Sequence, residues 1–84
     1  MHASGFYEFQ VRLTKDKNTG QVVAEVPTLD IADYGVDSQE ALQRLRKMVA
    51  FHLESLIDEG KPIPSEKKAG EGLYLRVSVP VGAP

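Results

Sequence analysis

Residues 37–60 read DSQEALQRLRKMVAFHLESLIDEG and carry the longest helical pattern in the chain. Apolar residues recur there at steps of three and four, which places them on one stripe of an α-helix; they are Ala41, Leu42, Leu45, Met48, Val49, Leu53, Leu56 and Ile57. Asp37 can cap the first turn, and Glu40 can reach back to the Asp37 amide as in a capping box. Gly60 can end the helix in a left-handed conformation. The stretch therefore predicts an amphipathic helix whose two ends are defined by nearby residues and whose apolar face packs against another part of the protein.

The segments around this helix alternate apolar and polar residues, as strands with one buried face do. Residues 6–14 and 21–26 predict two strands, and residues 73–79 predict a last strand that Pro80 should end. Residues 31–34 could form a short third strand. The predicted order β-β-(β)-α-β defines an α+β fold, with a mainly antiparallel sheet of three or four strands and one long helix on one face. We expect the helix to cover Tyr7, Phe9, Val11, Leu13, Val22, Ala24, Val26, Leu73, Leu75, Val77 and Val79.

Length and composition limit the classes of protein. The 84 residues predict a single domain, ordered over about residues 6–79, with a long loop over residues 60–72. The chain has no cysteine for a disulfide or a thiolate metal site, and its net charge of −2 argues against broad nucleic-acid binding. Without a membrane span or a signal peptide, a soluble cytoplasmic protein is expected. Because so short a chain buries little surface, we expect a homo-oligomer, a dimer or a tetramer.

The acidic residues do not form a pattern typical of catalysis. Asp30 and Asp33 fall in a predicted loop, and Asp58 and Glu59 close the helix. None lies mid-strand beside a second carboxylate, as metal-dependent nucleases require. Because a phosphate loop and a nucleophile motif are also lacking, we expect no enzyme activity, no cofactor and no metal ion.

The aromatic residues outside the predicted core are candidates for contact with a partner or with a second copy. Phe6, Val23 and Tyr74 fall on the sheet face away from the helix. Phe51 lies about 100° around the helix from His52, off the apolar stripe. His52 itself is interpreted as a histidine at the core margin, with a pH switch or a ligand as the alternative.

The C-terminal end of the predicted helix is acidic, through Glu54, Asp58 and Glu59. The helix dipole disfavours negative charge at this end. A solvated face would account for these charges, and so would contact with a basic partner.

The order of these motifs resembles the HicB-like antitoxins of bacterial toxin–antitoxin pairs, in particular their N-terminal partner-binding domain. Residues 7–13 match that family's opening strand, and AEVPTL at residues 24–29 is similar to its strand ending in Val-Pro-x-Leu. GVDSQEAL at residues 35–42 is similar to its Gly-x-Thr-x-x-Glu-Ala helix start. FHLE at residues 51–54 and KPIP at residues 61–64 match its helix end and proline-rich turn.

The chain departs from the family at three points. Asp37 stands in place of the usual capping threonine. DIA at residues 30–32 replaces the family's Pro-Gly-Cys, with one residue fewer before Gly35, which leaves the shape of the third strand open. The chain ends at Pro84, where full antitoxins of this type add a DNA-binding domain, so no direct DNA binding is expected.

The resemblance implies a reduced ribonuclease H-like fold, commonly oligomeric, that binds and occludes a small mRNA-cleaving toxin of the HicA type. Two alternatives stay open. One is an orphan oligomeric domain with an unknown protein partner, and the other is a degenerate nuclease. A neighbouring reading frame for a small basic protein would favour the antitoxin, whereas metal-dependent RNA cleavage would favour the nuclease.

Overall fold

Four strands and one long helix follow one another along the chain. The computed structural model describes residues 3–64 and 70–81, and side chains over residues 5–64 and 70–79. The elements are strands β1 (Ala3–Lys15), β2 (Val22–Val26) and β3 (Ile31–Gly35), helix α1 (Ser38–Asp58) and strand β4 (Leu73–Val81), with a short 3-10 helix at Pro27–Leu29. They form one antiparallel sheet in the order β3-β2-β1-β4. The predicted α+β fold with one long helix is confirmed.

β1 is the longest strand and joins the two parts of the sheet. Its residues 3–11 pair with β4, whereas its residues 12–15 pair with β2. The predicted strand started too late, because Ala3 already pairs with Val81. The sequence pattern missed this pair because backbone pairing at a strand end does not require alternating side chains.

β4 continues past the point where Pro80 was expected to end it. Pro80 pairs with Ser4, and the strand runs to Val81, so that prediction was wrong. β4 lies at the edge of the sheet, where every second backbone amide points away from the neighbouring strand. A proline is tolerated at such an outward position.

The third strand, which the sequence left open, forms as β3 and ends one residue after residues 31–34. Pro27 ends β2 and opens the 3-10 helix, and Asp30 then adopts a left-handed conformation with φ of 56°. β3 pairs with β2 over its full length, from Ile31 opposite Val26 to Gly35 opposite Val22.

Both ends of α1 are closed by local hydrogen bonds. The Asp37 carboxylate accepts from the Glu40 amide at 2.8 Å. The Glu40 carboxylate accepts from the amide of Val36 at 3.0 Å, one residue before the amide that we predicted. Gly60, with φ of 71°, donates to Ile57, and Lys61 donates to Leu56. This pair of bonds is a Schellman motif, so the helix ends as its sequence indicates.

The core lies between α1 and one face of the sheet, here called the inner sheet face. Its buried side chains are Phe9, Val11, Ala24, Val26, Ala41, Leu45, Val49, Leu53, Leu75, Val77 and Val79.

Three residues expected in this core are exposed. Met48 lies about 100° around the helix from Val49, and the sheet does not extend far enough to cover it. Leu73 begins the edge strand, and Leu13 lies beyond the last pair between β1 and β4, so each lacks a flanking strand on one side.

Candidate partner-binding surfaces

The sheet face away from α1, here called the outer sheet face, is lined by alternate residues of all four strands. It presents Phe6, Glu8, Gln10, Arg12, Thr14, Val23, Glu25, Ala32, Tyr34, Tyr74, Arg76 and Ser78. The structure thus places the predicted candidates Phe6, Val23 and Tyr74 on one face. It does not bring them together, because Phe6 pairs with Ser78 while Tyr74 pairs with Gln10, four residues further along β1. That offset is about 13 Å at the rise of a strand.

Phe6 is engaged by a charged neighbour while its ring stays open to solvent. Phe6 is 59% exposed, and the guanidinium carbon of Arg76 lies 4.3 Å from the centroid of its ring. This is a cation–π arrangement, which holds the ring in place on the surface. The result is an ordered aromatic group at one end of the outer sheet face.

Tyr34 belongs to the same face and was missed as a candidate. It is 51% exposed, pairs with Val23 across β2 and β3, and lies near Arg44, whose guanidinium carbon is 6.0 Å from its ring centroid. The alternation of Ile31, Asp33 and Gly35 toward the helix could have revealed it. This alternation was not used, because the sequence left the shape of the third strand open.

The side of α1 away from the sheet, here called the outer helix face, carries a third exposed aromatic residue. Phe51 is 73% exposed. Glu54 and Asp58 follow it at three and seven residues, a spacing that keeps all three on one side of the helix. The same side is basic toward the N-terminus, through Arg44 and Lys47. Phe51 therefore lies between a basic and an acidic stretch.

Glu59 differs from the other two acidic candidates. It is the C-cap residue of α1, and its carboxylate lies 2.9 Å from the Lys61 ammonium group. Glu54 and Asp58 are both exposed, and the last turn of α1 has no basic residue. The acidic end of the outer helix face therefore consists mainly of Glu54 and Asp58.

The predicted contact residues divide into two surfaces on opposite sides of the molecule. The helix covers the inner sheet face, so Phe51 points away from the sheet on one side and Phe6 points away from the helix on the other. One compact partner that contacts Phe51 does not reach Phe6. The two groups of candidates therefore belong to two separate surfaces.

The open edge of β4 is partly covered by the helix. The Arg46 guanidinium donates to the backbone carbonyl of Arg76. Edge strands offer unpaired backbone groups to other chains, and a charged side chain at the edge reduces this tendency. This contact joins two residues that are 30 apart in the chain, so helical periodicity does not reveal it.

His52 is half-buried on α1, as a histidine at the core margin would be.

Within residues 3–64 and 70–81, no three His, Asp or Glu residues cluster in a way that could hold a metal ion. The helix in this part of the chain is not long and apolar enough to cross a membrane.

Comparisons with protein-family models, curated proteins and solved structures find no match to this chain.

Proposed function

We propose that this chain is a non-enzymatic, HicB-like interaction module that acts in the cytoplasm by binding and occluding a small basic mRNA-cleaving toxin of the HicA type. The observation that carries the proposal is the exposed Phe51 beside Glu54 and Asp58 on the outer helix face. An apolar anchor with adjacent acids suits a partner that presents a cationic surface around an apolar socket.

The position of the acids supports a role in binding. Asp58 lies in the last turn of α1, where the helix dipole disfavours a negative charge by about 0.3–1 kcal/mol, and Glu54 lies one turn earlier. Lysine at these positions would suit the helix better. Acids that do not stabilise the helix remain available for contact with a basic partner.

The charge also suggests how inhibition works. An enzyme that cleaves mRNA holds its substrate through phosphate contacts, and those require a cationic surface. An acidic face that binds this surface competes directly with the RNA. Inhibition then needs only steric and electrostatic occlusion, without chemistry on a substrate.

Charge reversal tests the proposal. The double variant Glu54→Lys and Asp58→Lys should stay folded but bind the basic protein of a neighbouring reading frame about tenfold or more weakly at low salt. Its remaining affinity should respond less to salt, because fewer complementary charges are left. Adding Glu59→Lys should change little further, since Lys61 already neutralises Glu59. Titration calorimetry over a salt series measures these effects.

A matched control is Glu71→Lys, which makes the same charge change as Asp58→Lys at an exposed position away from the helix. It should leave affinity within about twofold. Unchanged affinity in the double variant would move the contact to the outer sheet face. If no basic protein encoded beside this chain binds at any salt concentration, the antitoxin proposal fails. Metal-dependent RNA cleavage by the purified chain would favour the degenerate nuclease instead.

The second candidate is an orphan oligomeric domain with another protein partner. The exposed rings of Phe6 and Tyr34 on the outer sheet face favour it, because they offer a contact surface that is not acidic. An oligomer that persists while every basic partner fails to bind would support this candidate.

A further inference from the structure

The outer helix face carries two bases before Phe51 and two acids after it. Arg44 and Lys47 precede this ring by seven and four residues, respectively. Glu54 and Asp58 follow it by three and seven residues. At about 100° per residue, all four lie within about 60° of Phe51 around the helix, and all five side chains are exposed. Opposite charges therefore lie on the two sides of one apolar ring.

These charges have no ion-pair partner within the described part of the chain, where ion pairs form on the outer sheet face and at the C-cap of α1. The bases and acids of one helix are too far apart to meet, because Lys47 and Glu54 are separated by about 10 Å along the axis. The Arg44 guanidinium carbon lies 6.0 Å from the Tyr34 ring centroid, the outer limit of a cation–π contact. The four charges are therefore available to another molecule.

A second copy in antiparallel orientation places an opposite charge against each of them. When a two-fold axis passes beside Phe51, a residue that precedes the ring in one copy lies opposite the residue that follows it by the same number in the other. Arg44 then lies opposite Asp58, because both are seven residues from the ring. Lys47 and Glu54 differ in level by one residue, or about 1.5 Å. They also lie to the same side of the contact, about 40° and about 60° from Phe51 around the helix.

The remaining residues of the outer helix face are compatible with this arrangement. Met48 is exposed on the other side of Phe51 and comes within one residue of the level of Ser55 in the second copy, so its thioether does not meet an acid. Helices pack with their axes about 8–10 Å apart, and a crossing angle of about 20° keeps them in contact over several turns. A parallel arrangement would instead place like charges at the same level.

We propose that a second copy of this chain binds the outer helix face in this antiparallel arrangement, centred on Phe51, and that it competes there with the basic partner. The competition rests on the proposed function, because Phe51, Glu54 and Asp58 are the residues that we propose to bind the toxin. The second copy offers these acids what the toxin offers, which is a pair of bases beside an apolar group. One surface cannot hold both, so toxin binding separates the two copies.

The size of the outer helix face limits the strength of this dimer. Helix α1 has 21 residues, and its length of about 31 Å and diameter of about 10 Å give a face of about 300 Å². A standard interface buries about 800 Å² per partner, so the dimer should be weak, with a dissociation constant in the micromolar range or above. A weak dimer is one that a tightly binding toxin can displace.

The first test is charge complementation without any toxin, measured by sedimentation from micromolar to millimolar concentration. The wild-type mass should rise toward twice 9.2 kDa. A basic variant (Glu54→Lys with Asp58→Lys) and an acidic variant (Arg44→Glu with Lys47→Glu) should each dimerise at least about tenfold more weakly, because like charges then meet. An equimolar mixture of the two should associate again, because each charge once more faces its opposite.

A matched control replaces the acidic variant in the mixture with Lys15→Glu and Lys17→Glu. These substitutions make the same charge change at exposed positions, at the end of β1 and in the turn that follows it. A fluorescently labelled basic variant should bind this control at least about tenfold more weakly than it binds the acidic variant, because half of the charges then meet like charges.

Substitution of the central ring gives an independent measurement. Phe51→Glu should raise the dissociation constant at least about tenfold, because it brings two unpaired acids together at the two-fold axis. Phe6→Glu makes the same change on the outer sheet face and should leave the constant within about twofold. Urea unfolding shows whether each variant is folded.

Three results would overturn the proposed dimer. The first is a well-folded wild-type monomer over the whole concentration range. The second is a mixture of basic and acidic variants that associates no more than the control mixture. The third is dissociation by Phe6→Glu but not by Phe51→Glu.

The second test adds the basic protein of the neighbouring reading frame to the wild-type dimer. Sedimentation should then show a complex with one copy of each chain, because the toxin takes the place of the second copy. A complex that retains two copies of this chain joined through Phe51 would contradict the competition. The first test involves no toxin, so failure of the dimer leaves the proposed function standing. Failure of every basic protein to bind would remove the competition but not the charge complementation.

Discussion

Phe6 and Phe9 lie three residues apart on β1, and their environments are opposite. Phe9 points to the inner sheet face and is 1% exposed, whereas Phe6 points to the outer sheet face and is 59% exposed. The difference arises because successive residues of a strand point to opposite sides and one helix covers one side only. The two faces therefore have different roles: the inner face stabilises the fold, and the outer face is available for contacts.

The largest loss of stability is expected for substitutions that remove side chains packed on the inner sheet face. Leu53→Ala should lower the free energy of unfolding by about 2–5 kcal/mol, because Leu53 is fully buried and its removal leaves a cavity. Leu45→Ala should behave alike. Leu73→Ala is the matched control and should cost less than about 1 kcal/mol, since Leu73 is exposed at the edge strand. Urea unfolding measures the three values. Similar losses at Leu53 and Leu73 would mean that the end of β4 packs as tightly as the centre of the inner sheet face.

A smaller loss of stability is expected for a substitution at the place where β3 meets the start of α1. A Cβ at buried Gly35 would lie 2.6 Å from the Ala41 backbone nitrogen and 2.8 Å from the Glu40 Cβ. Gly35→Ala should therefore lower the free energy of unfolding by about 1–3 kcal/mol through overpacking. Gly20→Asn is the control and should change it by less than about 0.5 kcal/mol, because Gly20 has open space and asparagine tolerates its positive φ. A neutral Gly35→Ala variant in urea unfolding would show that α1 can move away from β3.

The smallest effect concerns the edge between the two faces. Arg46→Met keeps the length of the side chain but removes its hydrogen bond to the Arg76 carbonyl. We expect a loss of about 0.5–1.5 kcal/mol, the net value of one hydrogen bond. We also expect more self-association in size-exclusion chromatography, because the edge of β4 is less protected. Lys47→Met, one residue along the helix, is the control and should do neither. Unchanged association would show that Arg46 does not protect the edge.

The sequence patterns predicted the elements well because each depends on local chemistry. Asp37, Glu40 and Gly60 act within a few residues of themselves, and their hydrogen bonds form almost as expected. The predicted ends of the strands were wrong where they depend on pairing with a neighbouring strand. Pro80 continues β4 because β4 is an edge strand, and Ala3 joins β1 because Val81 lies opposite.

The candidate contact residues were predicted from the sequence as apolar or aromatic residues that do not fit the buried pattern of their element. Phe6 and Phe51 are indeed exposed. Their division into two surfaces could not be predicted in the same way. Periodicity gives the direction of a side chain within one element, but the relative placement of elements depends on packing. Tyr34 was missed for another reason: the sequence left the shape of the third strand open, and the pairing of β3 with β2 places Tyr34 on the outer sheet face.

The sequence by itself determined the α+β class, the ends of the helix and most of the buried residues, because capping, turn preference and apolar period act over short distances. Tertiary structure alone decided that β1 divides its pairing between β2 and β4, that Arg46 reaches the edge of β4, and that Leu13, Leu73 and Met48 remain exposed. Each of these outcomes depends on which surface lies opposite a residue. That information arises only when distant parts of the chain pack together.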